Sequence, residues 1–105
     1  MTNKLSYELK IVNSLVEDGG PMKSIGGAQM RAARALLRWA ATDLVRESGV
    51  SLATIHRAES VDGRSAMTFA NASAVRRALE DAGVELIEED GGGPGARLKQ
   101  PLAAQ

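Results

Sequence analysis

The chain contains no cysteine, very few aromatic residues and no excess of charge of either sign. Its 105 residues include one Trp, one Tyr and one Phe, and its 13 basic residues balance 13 acidic residues. The absence of cysteine excludes disulfides and thiolate metal sites, and it suits a reducing cytoplasm. A core with so few aromatics is built from Ala, Leu, Val, Ile and Met, so we expect one mainly α-helical domain rather than a sheet sandwich.

Long apolar runs and clustered histidines are also missing. No apolar stretch approaches about 20 residues, and the N-terminus lacks the charged start and apolar run of a signal peptide, so we expect neither export nor a membrane span. His56 is the only imidazole, and a metal site or a serine-histidine relay needs partners at a defined spacing. We therefore expect no enzyme, no metal and no cofactor.

The balanced charge hides an uneven distribution along the chain. Residues 28–77 carry eight arginines, at 31, 34, 38, 46, 57, 64, 76 and 77, against four acids, at 43, 47, 59 and 62. Residues 80–90 carry six acids, at 80, 81, 85, 88, 89 and 90, and no base. A basic middle segment next to an acidic one favours a local phosphate-binding face.

Two short helices joined by a tight turn are predicted between Thr42 and Glu59. Gly49 can adopt a positive φ and end the first helix. Ser51 offers a hydroxyl as the N-cap of the second helix, and Val50 before it is placed to pack inward. One apolar seam is expected from Leu44, Val45, Val50 and Ile55. The opposite face of the second helix presents Leu52, Ala53, Thr54, His56 and Arg57.

This stretch resembles the helix-turn-helix of the Cro/C1-type (Xre-like) transcriptional regulators, relatives of the lambda repressor. The matching positions are Arg34, Leu44, Gly49, Val50, Ser51, Thr54, Ile55 and Glu59. The segment GVELIEEDGGGPGARL at 83–98 is similar to the tail of a bacterial subgroup of such proteins, so the resemblance covers about residues 29–98. It implies a lambda repressor-like helix-turn-helix bundle in which Arg34 and Glu59 form an ion pair.

The resemblance further implies a transcriptional regulator that binds double-stranded DNA as a homodimer on a palindromic operator. The recognition helix, residues 51–59, would enter the major groove, and the protein would be cytoplasmic and nucleoid-associated in a bacterium. The expected DNA-binding residues are Ser51, Leu52, Ala53, Thr54, His56 and Arg57, with Arg38, Arg46 and Arg64 as weaker candidates for backbone contacts. For Arg64, a solvated loop arginine is nearly as good an interpretation.

Several positions depart from the family pattern and support a second hypothesis. Ala41 stands where many members have glutamine, Val45 where they prefer alanine, and Leu52 where a polar residue is common. Ser60 and Val61 replace the usual glycine. These departures favour a protein-interaction adaptor that kept the scaffold while its DNA binding weakened or was lost.

The rest of the chain divides around the helix-turn-helix domain at 28–83. Residues 1–18 predict an amphipathic helix with a stripe of Leu5, Leu9, Val12 and Val16. It either packs on its own domain or serves in dimerisation or partner binding. Residues 19–27 predict a flexible linker, 84–100 a β-hairpin that packs on the helices or pairs with a second copy, and 101–105 a tail.

Two further helices are predicted within the domain. The first runs from Gln29 to Trp39 or Ala40, with Met30, Ala33, Leu36 or Leu37, and Ala40 available for the core. Trp39 is most simply a core or edge residue rather than a base-stacking one. The last runs from Thr68 to Ala82, is capped by Thr68 and ended by Gly83, and buries Phe69, Ala72, Val75, Leu79 and Ala82. Arg76 and Arg77 are expected to face solvent, with a phosphate contact as the alternative.

Overall fold

Four helices and a two-stranded antiparallel hairpin make up the part of the chain that the computed structural model describes, residues 24–101. The helices are α1 (Gly27–Leu37), α2 (Ala41–Ser48), α3 (Leu52–Glu59) and α4 (Phe69–Asp81). The strands are β1 (Val84–Ile87) and β2 (Gly95–Leu98). The domain is mostly helical, as predicted, and the C-terminal hairpin is confirmed. The predicted N-terminal helix lies outside the described residues.

Local capping residues set the ends of α2, α3 and α4. Gly49 ends α2 with a φ of 77°, and the Oγ of Ser51 accepts the Thr54 N–H at 3.2 Å to begin α3. Thr68 caps α4 by accepting the Asn71 N–H at 3.1 Å, and Gly83 follows its C-cap with a φ of 112°. The predicted boundaries of these helices are therefore confirmed. They could be predicted from the sequence because each capping hydrogen bond joins residues only three positions apart.

The first helix ends earlier than predicted. It stops at Leu37, because Arg38 takes a left-handed conformation with a φ of 59°, and the N–H of Trp39 turns back to the carbonyl of Arg34 at 2.8 Å. The prediction of a core position for Ala40 was also wrong. Ala40 is exposed and is the N-cap of α2.

The start of α1 lies within the predicted linker, so that prediction was wrong for residues 25–27, whereas residues 19–23 lie outside the described range. Ile25 is fully buried, and Gly26 forms a β-bridge with Arg64. A Cβ on Gly27 would lie 1.8 Å from the carbonyl oxygen of Val61. Only glycine permits this approach, which anchors the chain before α1 to the loop after α3.

The core is built from aliphatic residues of all four helices and the hairpin. Its largest fully buried side chains are Ile25, Met30, Leu44, Ile55, Val75, Leu79 and Val84. Val50 is buried as predicted, while Val45, Trp39 and Leu37 are partly buried against this cluster.

Of the alternatives Leu36 and Leu37, Leu37 packs against the core and Leu36 remains 38% exposed. Three side chains differ from the prediction. Phe69 is 43% exposed because it occupies the first position of α4, and Ala82 is only half-buried because it is the C-cap of that helix. Arg76, expected in solvent beside the exposed Arg77, is only 9% exposed. Its Nη2 lies 2.8 Å from an oxygen of Glu88, and its buried Nη1 has no partner among the described residues.

The hairpin packs on α1 and α4 rather than standing alone. Val84 pairs with Leu98 and Leu86 with Ala96, and these four face the core. Gln29, which is buried in α1, donates from Nε2 to the carbonyls of Ile87 at 2.9 Å and Gly95 at 3.1 Å. This side chain therefore joins the start of α1 to the end of the hairpin.

Candidate nucleic-acid interface

The helix α3 has one buried face and one exposed face. Ile55 and Ala58 are almost fully buried in the core. The exposed positions are Leu52, Ala53, His56 and Arg57. Because these positions recur at helical spacing, they share one side of α3, and a flat or convex surface could contact all of them at once.

The turn between α2 and α3 is held by short-range hydrogen bonds. Ser48 donates its hydroxyl to the carbonyl of Leu44 at 2.6 Å, and its Oγ accepts the N–H of Val50 at 3.1 Å. The Ser51 hydroxyl donates to the Oγ1 of Thr54 at 3.0 Å while capping α3. The two hydroxyls are thus hydrogen-bonded to each other at the start of the helix.

Glu59, the last residue of α3, is fastened to α1 by Arg34. The Nε and Nη2 of Arg34 each lie 2.8 Å from an oxygen of the Glu59 carboxylate, a bidentate pair. Arg34 also donates from Nη1 to the carbonyl of Trp39 at 2.8 Å. The hydrogen bond to Glu59 raises the pKa of Arg34. The ion pair that the family resemblance implies is therefore present.

A second arginine of α1, Arg31, holds the same end of α3. This role of Arg31 was not predicted from the sequence. Its Nη1 donates to the carbonyls of Glu59 and Val61, and its Nη2 pairs with the carboxylate of Asp62. The sequence feature that could have indicated it is the position of Arg31 three residues before Arg34, because this spacing places both arginines on one side of α1. The exposed face of α3 is thereby fixed relative to α1.

Arg57 lies at the edge of a shallow cleft between α3 and the segment that follows it. The cleft is lined by Thr54, Arg57, Ala58, Ala66 and Met67. The structure therefore brings two of the expected base-reading side chains, Thr54 and Arg57, to one place. Leu52, Ala53 and His56 lie on the exposed side of the same helix.

The three arginines expected to contact the DNA backbone lie on three separate segments. Arg38 is the exposed C-cap of α1. Arg64 donates from Nε to the Oγ of Ser24 at 3.0 Å, in the loop after α3. Arg46, on the exposed side of α2, lies 2.9 Å from an oxygen of Asp43 and 3.5 Å from one of Glu47.

The charge near Arg46 is partly neutralised within α2. The Asp43 carboxylate accepts the N–H of Ala40 at 2.8 Å, and this bond, followed by the bond from Arg46, lowers the pKa of Asp43. Asp43 therefore stays ionised near neutral pH, and a phosphate at this place would compete with it for Arg46.

Among residues 24–101, no group of three or more His, Cys, Asp or Glu side chains is arranged to hold a metal ion. No helix in the same range has both the length and the apolar character needed to cross a membrane. No protein-family model matches the chain, and a search of curated proteins finds no match.

Proposed function

We propose that the protein is a sequence-specific transcriptional regulator that binds double-stranded DNA, with a lambda repressor-like fold related to the Cro/C1-type regulators. The observation that supports this most directly is the construction of α3. Its inner face is buried through Ile55 and Ala58, its last residue is clamped to α1 by Arg34, and its outer face is exposed. A short helix held rigidly from behind matches what reading of the major groove requires.

The outer face of α3 offers several kinds of base contact. Arg57 is the best reader of guanine, because its guanidinium can donate to O6 and N7 together. Thr54 and His56 supply hydrogen-bonding groups for base edges or phosphates. Leu52 and Ala53 supply apolar contacts for thymine methyl groups. Ser51 contributes its backbone and its hydroxyl oxygen at the N-terminal end of the helix.

Most of the affinity for DNA would come from contacts between arginines and the phosphates of the DNA backbone. Arg38, Arg46 and Arg64 are the residues proposed for this role, and each is exposed. Neutralising phosphates releases counterions, so binding should weaken steeply as salt rises. Because one such helix reads only a few base pairs, we propose a homodimer on a palindromic operator whose half-sites lie about 34–36 Å apart, or a multiple of that distance. Such a regulator acts in the bacterial cytoplasm.

The test is selection of bound fragments of genomic DNA by the full chain, compared with Arg57→Ala. We expect enrichment of a two-fold symmetric motif and, in the variant, a loss of about 1–3 kcal/mol with relaxed specificity at one base pair of each half-site. The matched control is Arg97→Ala, because Arg97 is an exposed arginine of β2 that has no part in the proposed interface. A uniform loss over all sequences would instead make Arg57 a phosphate contact.

The second candidate is a protein-interaction adaptor on the same scaffold. It is favoured by the exposed apolar side chain of Leu52, which is 37% exposed, and by the acids that surround Arg46. This candidate predicts little DNA binding even at low salt and a stable complex with a second protein. The same selection experiment therefore separates the two functions.

A further inference from the structure

The exposed side of α3 begins with apolar residues. Leu52 and Ala53 lie in the first turn of the helix, and both are exposed, Leu52 to 37%. The two hydroxyls at this end, those of Ser51 and Thr54, are hydrogen-bonded to each other at 3.0 Å. In helix-turn-helix proteins the N-terminal residues of the recognition helix contact base edges. The first turn of α3 therefore offers mainly apolar contact at the place where bases would be read.

The major groove presents one apolar group that suits such a surface. Base pairs expose hydrogen-bond donors and acceptors there and, on thymine, the methyl group at C5. A cytosine that is methylated at C5 presents its methyl group at the same ring position. The side chain of Ala53 has no hydrogen-bonding group, so it gains from contact with a methyl group and gains nothing from the polar atoms of a base.

Arg57 follows Ala53 by one helical turn on the same side of α3, and it is exposed. None of the ion pairs formed among residues 24–101 includes Arg57, whereas Arg34 and Arg46 are both paired with acids. Within that range, no carboxylate competes with a guanine for the guanidinium of Arg57. The side chain is therefore available for a two-pronged contact with O6 and N7 of guanine.

The spacing of the two residues directs them to neighbouring base pairs. Positions 53 and 57 lie about 6 Å apart along the helix axis, and successive base pairs lie about 3.4 Å apart. Side chains of a helix lean toward its N-terminus, so the stem of Arg57 extends over the turn that carries Ala53. A guanidinium in the plane of guanine lies against the C5 edge of the pyrimidine that precedes this guanine, and its weakly hydrated face accepts apolar contact.

We propose that α3 recognises a pyrimidine that carries a methyl group at C5 and is followed by guanine on the same strand. Arg57 reads the guanine, and Ala53 packs on the methyl group together with the stem of Arg57. The inference rests on the DNA-binding function proposed above. Thymine and 5-methylcytosine both supply this methyl group, so binding at a cytosine-guanine step becomes stronger when the cytosine is methylated.

The test compares four duplexes that differ at one position of each half-site. The selection with the full chain and Arg57→Ala first locates the guanine, because it is the base at which the variant relaxes specificity. The base before that guanine is then made thymine, uracil, cytosine or 5-methylcytosine, with its complement on the other strand. Uracil and cytosine are the matched controls, since each differs from its counterpart only by the methyl group. All affinities are measured at one salt concentration.

We expect thymine to be bound more tightly than uracil, and 5-methylcytosine more tightly than cytosine. The expected ratio is about four-fold for each methyl group, which corresponds to burial of one group of methylene size. A palindromic site that is changed in both halves should show about 16-fold, because the two half-sites are independent.

A variant of the contact residue separates a direct contact from an effect of methylation on DNA shape. Ala53→Ser places a hydroxyl against the methyl group and should reduce the ratio for each methyl group to below about two-fold. Ala32→Ser, at an exposed alanine of α1, is the control and should keep the full ratio. Each ratio compares two duplexes on the same variant, so a general loss of folded protein cancels.

The outcomes distinguish this inference from the proposed function. Equal affinities within both pairs of duplexes would overturn the inference and leave the regulator in place. An undiminished ratio in Ala53→Ser would overturn it as well, because the preference would then not come from this contact. So would a uniform loss in Arg57→Ala, since no guanine would be assigned to Arg57. If the selection enriches no motif, the DNA-binding function itself fails, and the inference fails with it.

Discussion

Replacing Arg34 with methionine should destabilise the domain strongly, because it leaves a buried carboxylate without a partner. The Glu59 side chain is 8% exposed and that of Arg34 is 21% exposed. Both oxygens of Glu59 accept from Arg34, which also satisfies the carbonyl of Trp39. Methionine retains most of the length of the side chain and its apolar stem, so the change removes mainly the charge and the donors.

The size of the loss follows from how deeply the pair is buried. Breaking a fully buried ion pair by removing one partner costs about 3–5 kcal/mol. Because water reaches part of Arg34, we expect a somewhat smaller loss of about 2–4 kcal/mol for Arg34→Met. Glu59→Met should cost less, about 1–3 kcal/mol, since the partly exposed guanidinium keeps its bond to Trp39. The double variant should be more stable than the sum of the two losses predicts, with a coupling of about 1–3 kcal/mol.

Urea denaturation can measure all three variants, because Trp39 is the single tryptophan and packs against the core. With a slope of about 2 kcal/mol per molar urea, a loss of about 2–4 kcal/mol should lower the Arg34→Met midpoint by roughly 1–2 M. The control is Arg77→Met on α4, which should shift the free energy of unfolding by no more than about 0.5 kcal/mol. Strictly additive losses, or a loss below about 1 kcal/mol for Arg34→Met, would refute this account of the pair.

Three further changes test other parts of the structure. Gly27→Ala places a Cβ 1.8 Å from the carbonyl oxygen of Val61, so we expect a loss near or above 3 kcal/mol in urea denaturation; a midpoint like that of the unmodified chain would contradict the close approach. The pKa of Asp43 is lowered below its ordinary value of 3.8 by the Ala40 N–H and then by Arg46, so its stabilising effect is complete above that pH and is lost as the pH falls through the lowered pKa. The stability advantage of the unmodified chain over Asp43→Asn should therefore shrink as the pH falls below about 4, and an advantage that grows on acidification would contradict the sign. Arg76→Met removes a buried guanidinium whose Nη1 has no partner among residues 24–101, so stability should stay unchanged or rise by about 1 kcal/mol. A loss above about 2 kcal/mol would show that its pair with Glu88 is strongly stabilising.

Much of the local structure was predictable because its causes are local. Gly49, Ser51, Thr68 and Gly83 act through their own backbone conformation or through bonds to residues three positions away. The helical periodicity of apolar residues likewise identified most of the buried positions of the helices. These are properties of short segments and can be read without knowing which segments meet.

The predictions that were wrong concern side chains whose environment is set by distant segments. Arg76 resembles its neighbour Arg77 in sequence, yet it is buried because the chain after β1 brings Glu88 onto α4. Arg31 was given no role in the sequence analysis, although it holds the end of α3. Gly27 was assigned to a linker because nothing in the neighbouring sequence indicates the approach of the loop after α3.

The sequence by itself determined where most helices begin and end, which faces are apolar, and which side chains α3 presents on its outer side. Only the tertiary structure decided how that helix is held, since the clamp by Arg31 and Arg34 joins residues about 25 to 31 positions apart. It also decided that Gln29 joins α1 to the hairpin. The physical reason is that capping and periodicity act over three or four residues, whereas burial and ion pairing depend on which distant segments come into contact.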